Sequence, residues 1–488
     1  MKIDSVYIKN FRSIKEATIS VKDLTILIGN NGTGKTTILE AVHFALSPNF
    51  LSGKIEPSDF YNNTPESIII DLIFINPFDV EIPDLFNNKQ IVSCNKIHLN
   101  IKKREKATSG KSFTDGYVIE NYYVPVAPKT DENSWDIKRK NGSIFKFSER
   151  QLAVNYSEPV NSIRSFYFAK NRNTQIRRGY NSSITNVFDD FNWRFIHHIE
   201  SNPTDYYIKK QNFEEQILYN IDDKSIKKSF TTLNEKLKDF GIPEVSISFI
   251  ESNAPFNSAF LSNKINSLDI KVDNLGSGVE MIISLLYLET LASLSNEEIL
   301  IIIDEPELHL HPSLQEKFIQ YLKNISSEKQ IIVSTHSPYF FKNCCSDKNI
   351  KLLVTKLIDN QSQIKDAEYQ LSTFSWSPSW GEINYYAYEI VTVEFHNELY
   401  GYLQSLCKIY EIKDFDNHLV SLGENKNKKW IQEKDERPFI YDLTLMTYIR
   451  NFLHHPENQI NPIYTNDELK ISIQKMLNLI KKITFPYF

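Results

Sequence analysis

Three stretches of the chain are apolar over roughly one strand length, broken only by Thr25: LTILI at 24–28, ILIII at 299–303 and IIV at 331–333. Strands apolar on both faces belong inside a parallel sheet covered on both sides, so these runs predict the core of an α/β domain. After the first run, TTILEAVHFAL carries apolar residues at helical spacing. The opening MKIDSVYIKNFRSI reads as a strand and a turn and has no apolar signal core. Residues 281–303 form the most apolar long stretch, but Glu289, Glu297 and Glu298 interrupt it, so no membrane span is predicted.

The same pattern divides the chain into four segments. Residues 1–75 and 265–370 hold the buried strands and predict the two parts of one discontinuous head. Residues 76–264 contain Pro77, Pro83, Pro125, Pro128, Pro159, Pro203 and Pro243 with dense aromatics and no heptads. That composition predicts an inserted, compact mixed α/β lobe rather than a coiled coil. Residues 371–488 begin with the turn-rich FSWSPSW, continue as a long amphipathic helix, and predict an all-helical C-terminal domain.

The first buried strand runs straight into the densest chemistry. In LIGNNGTGKTT, Gly29 is followed after four residues by Gly34, Lys35 and Thr36, which is the P-loop spacing. Glycines let the backbone curl so that several N–H groups face a phosphate, and the following helix adds its positive end. Gly29, Asn30, Asn31, Gly32, Thr33, Gly34, Lys35, Thr36 and Thr37 are therefore the expected nucleotide-binding residues. Lys35 would reach the β and γ phosphates, and the Thr36 hydroxyl would ligate Mg²⁺. A chance glycine-rich turn is the alternative, and the flanking strand and helix count against it.

The second buried run ends in Asp304 and Glu305, at the edge where open α/β sheets place their ligands. Asp304 is expected to hold the metal through water, and Glu305 to accept a proton from the attacking water. The third run is followed by His336, at the same edge, a candidate γ-phosphate sensor that counts with Lys35 and Glu305 as catalytic. Between them, NLGSGVEMIISLL places Ser277 and Gly278 before a helix. They either cap that helix or contact the γ-phosphate held by a second subunit, and the second choice requires a dimer.

Composition narrows the setting. A net charge of −6 and a pI near 6.1 exclude a polybasic coat, although local basic patches are compatible with them. Four cysteines, two of them adjacent at Cys344 and Cys345, make neither a disulfide framework nor a metal-ligand pattern, and predict a reducing cytoplasm. Lys170, Arg172, Arg177 and Arg178 lie among aromatics in FYFAKNRNTQIRRGY. They read as a solvated loop or as a contact for nucleic acid.

Taken in order, IKNFRSI, the P-loop, LGSGVE, IIIDEPELHLHP and VSTHSP resemble the ABC-type ATPases of the SMC, RecF and OLD group, and most of all the OLD-like ATPases of prokaryotic anti-phage systems. The resemblance covers roughly 1–75 and 265–370. It implies ATP and Mg²⁺ sandwiched between two heads, with Ser277 acting across the interface and Arg12 near the nucleotide. LGSG stands where transporters carry an LSGG-type signature, so the serine role carries over from OLD-like relatives only. The order of segments is also similar to the ATPase subunits of Septu and retron-associated systems, which implies a separate HNH-type nuclease or a reverse-transcriptase complex as partner. The glutamate and paired aspartates of the TOPRIM nuclease carried by OLD proteins are missing.

Near the C-terminus, Arg450, Asn451 and His455 match the RNxxxH pattern of HEPN ribonucleases. The resemblance implies a composite site at a dimer interface, because the motif's two ends lie ~140° apart around one helix. His455 would take the RNA 2′-hydroxyl proton and Arg450 would steady the phosphorane charge. Pro456 follows directly, so His454 and His455 also read as a helix end. The expected function is an ATP-hydrolysing regulator, dimeric or larger, that controls a nuclease in phage defence. The alternative is a RecF-like repair ATPase.

Overall fold

A computed structural model describes most of residues 1–169 and 299–484, with short pieces at 262–265, 268–271, 281–282 and 285–286 and the isolated residues 208 and 212. The chain divides into two compact units, Met1–Lys170 with Ala292–Phe488, and Asn171–Leu291.

In the larger unit, β1 (Ile3–Phe11) and β2 (Ile14–Ser20) form a hairpin, and β3 (Leu24–Gly29) leads into α1 (Lys35–Leu46). Three long strands follow, β4 (Ile68–Pro83), β5 (Lys89–Lys103) and β6 (Tyr117–Pro125). They extend the hairpin into an antiparallel sheet of order β2-β1-β4-β5-β6. Position 75 thus falls inside β4, and residues up to 125 share a sheet with the N-terminal strands. A small sheet of β7 (Lys129–Asp131), β8 (Ser134–Lys138) and β9 (Ile144–Ser148) comes next, then β10 (Arg164–Phe168). The smaller unit contains the hairpin β11 (Ser262–Ile265) and β12 (Leu268–Lys271).

The remaining head elements are β13 (Ile299–Asp304), α2 (Pro312–Ile325), β14 (Gln330–Thr335), α3 (Pro338–Lys342), β15 (Ile350–Ile358), β16 (Gln361–Asp366) and the short α4 (Ala367–Gln370). The second large sheet runs β10-β13-β14-β3-β15-β16, parallel except for β16. Every residue of β3, β13 and β14 is buried, as strands covered on both faces must be. Helix α1 packs on β1 and β4 of one sheet and on β13 and β14 of the other, so it is buried nearly all round.

The C-terminal part holds α5 (Trp380–Tyr388), α6 (Val393–Cys407), α7 (Ile412–Ser421), α8 (Leu445–His454) and α9 (Asn466–Thr484) around a core that includes Phe395, Phe415, Tyr448 and Ile473. Two expectations are corrected here. The long helix is broken in two, because Glu389 takes a left-handed conformation at φ 58° and the Thr392 hydroxyl caps the new helix on the Phe395 amide at 3.2 Å. The part is also not all-helical. Strands β17 (Lys428–Lys434) and β18 (Arg437–Leu443) form an antiparallel hairpin inside the stretch that reads as polar. Trp430 anchors it, buried edge-on against Tyr448. Asn461 completes its edge, donating to the Ile431 carbonyl and accepting from the Ile431 amide, both at 2.8 Å. Among its described residues Trp430 alone is buried, and so exposed a ribbon leaves almost no period-two signal.

Among the described residues no helix is long and apolar enough to cross a membrane.

Candidate functional site

Parallel registers bring the carboxyl ends of three buried strands side by side: Asp304 lies opposite Ser334, and Ser334 opposite Leu27. From that edge the 29–34 loop turns back into α1. Gly34 has φ +95°, and a Cβ there would come within 2.5 Å of Ser362 Oγ, so both conformation and space demand glycine. Lys35 is buried at the start of α1, with Nζ donating to the main-chain oxygens of Gly29 at 2.8 Å and Asn30 at 2.9 Å. Thr33 Oγ1 donates to the Asn30 carbonyl at 2.8 Å and shares a 2.7 Å hydrogen bond with Thr355 Oγ1. Asn31 and Gly32 are exposed at the tip of the loop, and Thr37 is buried in α1.

Thr36 Oγ1 donates to Asp304 Oδ2 at 2.9 Å, and the other oxygen of Asp304 accepts from the Ser334 hydroxyl. Burial raises the Asp304 pKa above the ordinary carboxylate range; the Ser334 and Thr36 hydroxyls and the Lys35 charge pull it back only in part. A hydroxyl and a carboxylate within hydrogen-bond reach at the mouth of a P-loop make an all-oxygen donor pair. That pair suits Mg²⁺, which binds through one or two protein oxygens and keeps its remaining positions for water and phosphate.

Glu305 has φ +49°, a left-handed conformation that is uncommon for glutamate and costs energy. The Ser334 carbonyl holds it there by accepting the Glu305 amide at 3.0 Å. Its carboxylate faces His336, with Nε2 and Oε1 3.2 Å apart. The His336 amide in turn donates to Glu307 Oε1 at 2.5 Å, and burial raises the Glu307 pKa.

Arg12 sits in the turn after β1, and its side chain is committed. Its Nε donates to Asp59 Oδ1 at 2.8 Å, and Nη1 pairs with Glu40 of α1. The next residue, Ser13, hydrogen-bonds Ser362 at 2.7 Å, beside Gly34. The arginine is therefore near the loop, but two carboxylates balance its charge. Ser277, Gly278 and the basic residues Lys170, Arg172, Arg177 and Arg178 lie outside the described residues.

The RNxxxH residues form a second, looser group. Arg450 and Asn451 lie on α8, where Arg450 Nη1 donates to Asn451 Oδ1 at 3.2 Å. His455 follows the helix, about half exposed, and its Nδ1 is 3.1 Å from Glu457 Oε1. Asn451 and His455 line an open pocket of about 1060 Å³, together with Trp430, Tyr441 and Asn458. Its charged lining comprises Glu411, Asp416, Asp442 and Glu457 against Lys413 and Lys426.

Four residues of the first site escape a sequence reading: Ser334, Glu307, Glu40 and Asp59. Ser334 stands at the end of a buried strand, and Glu307 follows the strand-end acids by two positions; either place is a usable signal. Glu40 and Asp59 carry none, because only the fold brings them to Arg12.

A family model described as an AAA ATPase domain matches residues 1–341. The chain is similar to an OLD nuclease of Thermus scotoductus, 26% identical over 352 residues that cover 68% of this chain and 58% of that protein. It thus spans little more than half of that nuclease. It is also 26% identical over 378 residues to a retron Vc95 probable ATPase of Vibrio cholerae, covering 71% of each. The Septu protein PtuA of Bacillus thuringiensis is 24% identical over 344 residues, 67% of this chain and 70% of that one.

Proposed function

The chain belongs to the AAA ATPase domain family, and on that premise we propose that it hydrolyses ATP with Mg²⁺ and uses the nucleotide state to control a nuclease in phage defence. The contact that carries the ATPase assignment is Thr36 Oγ1 to Asp304 Oδ2 at 2.9 Å, which joins motifs 268 positions apart. Lys35 is the cation that faces the phosphates, with Nζ now 2.8 Å from the Gly29 carbonyl. Thr36 and Asp304 would hold Mg²⁺, which would supply positive charge for phosphoryl transfer. Glu305 accepts the proton of the attacking water, and His336, 3.2 Å from its carboxylate, orients it and senses the γ-phosphate. Arg12, clasped by Glu40 and Asp59, braces the turn that abuts the loop.

Two heads pair around the nucleotide, with Ser277 and Gly278 of one completing the site of the other. The likeness to OLD, retron and Septu proteins supports the defence role. For the effector we favour a partner, either a separate HNH-type nuclease subunit or a reverse-transcriptase complex bearing nucleic acid. The RNxxxH pocket is lined by four carboxylates and two lysines, a poor host for an RNA phosphate, and His455 pairs with the exposed Glu457. A RecF-like repair ATPase without a toxic nuclease is the competing function.

Phosphate release and light scattering test the proposal together. Wild-type protein should turn over ATP and assemble with it, Lys35→Ala should do neither, and Glu305→Gln should assemble without turnover. Turnover by Glu305→Gln at the wild-type rate would remove the assigned base, and assembly of Ser277→Arg with ATP would remove the trans role.

A further inference from the structure

The C-terminal part meets the ATP site at helix α5. Helix α5 starts with a reciprocal cap: Ser379 Oγ accepts the Glu382 amide at 3.1 Å, and Glu382 Oε2 accepts the Ser379 amide at 2.9 Å. It packs against β3, β15 and α3, the helix that follows His336. Lys342 of α3 donates to the Pro378 carbonyl just before α5 begins. At the other end, Asn30 Nδ2 of the P-loop donates to the Tyr388 carbonyl at 3.1 Å. The helix therefore grips both the loop that would hold the phosphates and the segment that carries His336.

Tyr388 has more to offer than its carbonyl. Its side chain is buried, and among the described residues its hydroxyl has no hydrogen-bond partner. Oε2 of Glu307 is likewise buried without a hydrogen-bond partner among the described residues, while the rest of the carboxylate is held, Oε1 by the His336 amide at 2.5 Å and the group by the Thr335 hydroxyl. Burial first, and then the field of Glu307, pushes the Tyr388 phenol above its ordinary pKa. An unsatisfied donor and an unsatisfied acceptor thus lie within electrostatic reach of each other, and each is costly while it stays buried without a partner.

We propose that Tyr388 is a positioning residue of the ATP site, by which the C-terminal part holds Asn30 through its carbonyl and steadies Glu307, and so His336, through its hydroxyl. The inference rests on the ATPase assignment above. It makes α5 the link through which nucleotide state and the C-terminal part inform each other, since any shift of Asn30 or of the His336 segment must move Tyr388.

The test is a kcat and KM comparison with a double-mutant cycle. Tyr388→Phe keeps the ring and removes only the hydroxyl, so its melting temperature should match or slightly exceed that of wild type. Its kcat should fall about tenfold, with KM for ATP within about twofold. Glu307→Gln should lower kcat as well, and adding Tyr388→Phe to it should cost little more, because the two groups act as one unit. Tyr386→Phe, on the same helix, should leave kcat unchanged. Wild-type kcat in Tyr388→Phe, or strictly additive losses in the double variant, would overturn the inference alone. A wild-type protein without ATP turnover would overturn the proposed function and this inference with it.

Discussion

The edge of the parallel sheet and the end of α8 both carry residues whose spacing suggests chemistry, and the fold treats them differently. At the sheet edge, Asp304 and Glu305 are 1% and 5% exposed, and their partners come from distant parts of the chain, Thr36, Ser334 and His336. At the end of α8, Arg450 bonds its own neighbour, and His455, its side chain 49% exposed, pairs with a residue two positions on. Charges taken from water and tied together over long separations are held at a cost that a function can justify. Charges only partly withdrawn from water and bonded to sequence neighbours are what any helix end produces. A motif gains weight when the fold encloses it, and only the first of these two is enclosed.

The strongest way to break that contrast is at Lys35. Lys35→Ala should lower ATP turnover by about a thousandfold or more, because it removes the fixed cation from the phosphate site; phosphate release measures it. Glu305→Gln should lower turnover about a hundredfold or more while ATP binding by calorimetry persists, since the side chain keeps its shape and loses its basicity. If either variant hydrolyses ATP like wild type, the enclosed site is no more functional than the open one.

The C-terminal part has an enclosed group of its own, and it sharpens the contrast because it is structural. His396 is fully buried, with Nε2 on Ser472 Oγ at 3.0 Å, and burial lowers its pKa to about 3. The folded pKa lies below the unfolded value of about 6.5, so on acidification the unfolded chain takes up the proton first. Stability from this group is complete above pH ~6.5 and declines by about 1 kcal/mol per unit as pH falls toward about 3. Urea unfolding followed by tryptophan fluorescence should show that slope, and His396→Gln should flatten it.

The smallest effects are expected at the open motif. His455→Ala and Arg450→Ala should each leave ATP turnover within about twofold of wild type, as substitutions far from an enclosed site usually do. Nucleic-acid cleavage by the assembled system should also survive both, and should depend on the partner nuclease's metal. Loss of RNA cleavage in both, with His454→Ala still active and equally stable, would instead give the exposed motif the chemistry.

Much of the first site is legible along the chain. The run at 24–28, polar only at Thr25, and the uninterrupted run at 299–303 mark buried parallel strands because a strand covered on both faces has few or no polar positions, and the glycine and lysine spacing of the loop is a local property of a turn. Short-range order of this kind is written in neighbouring residues. Which strands become neighbours is not. The order β13-β14-β3-β15, which sets Asp304 beside Thr36 and Thr355 beside Thr33, depends on pairings across some 300 residues. The clasp of Glu40 and Asp59 on Arg12, the break at Glu389, the hairpin hung on Trp430 and the reach of Tyr388 toward the P-loop likewise belong to the tertiary structure. Each is settled by packing and hydrogen bonding between distant segments, and that free energy is a property of the assembled core rather than of any window of sequence.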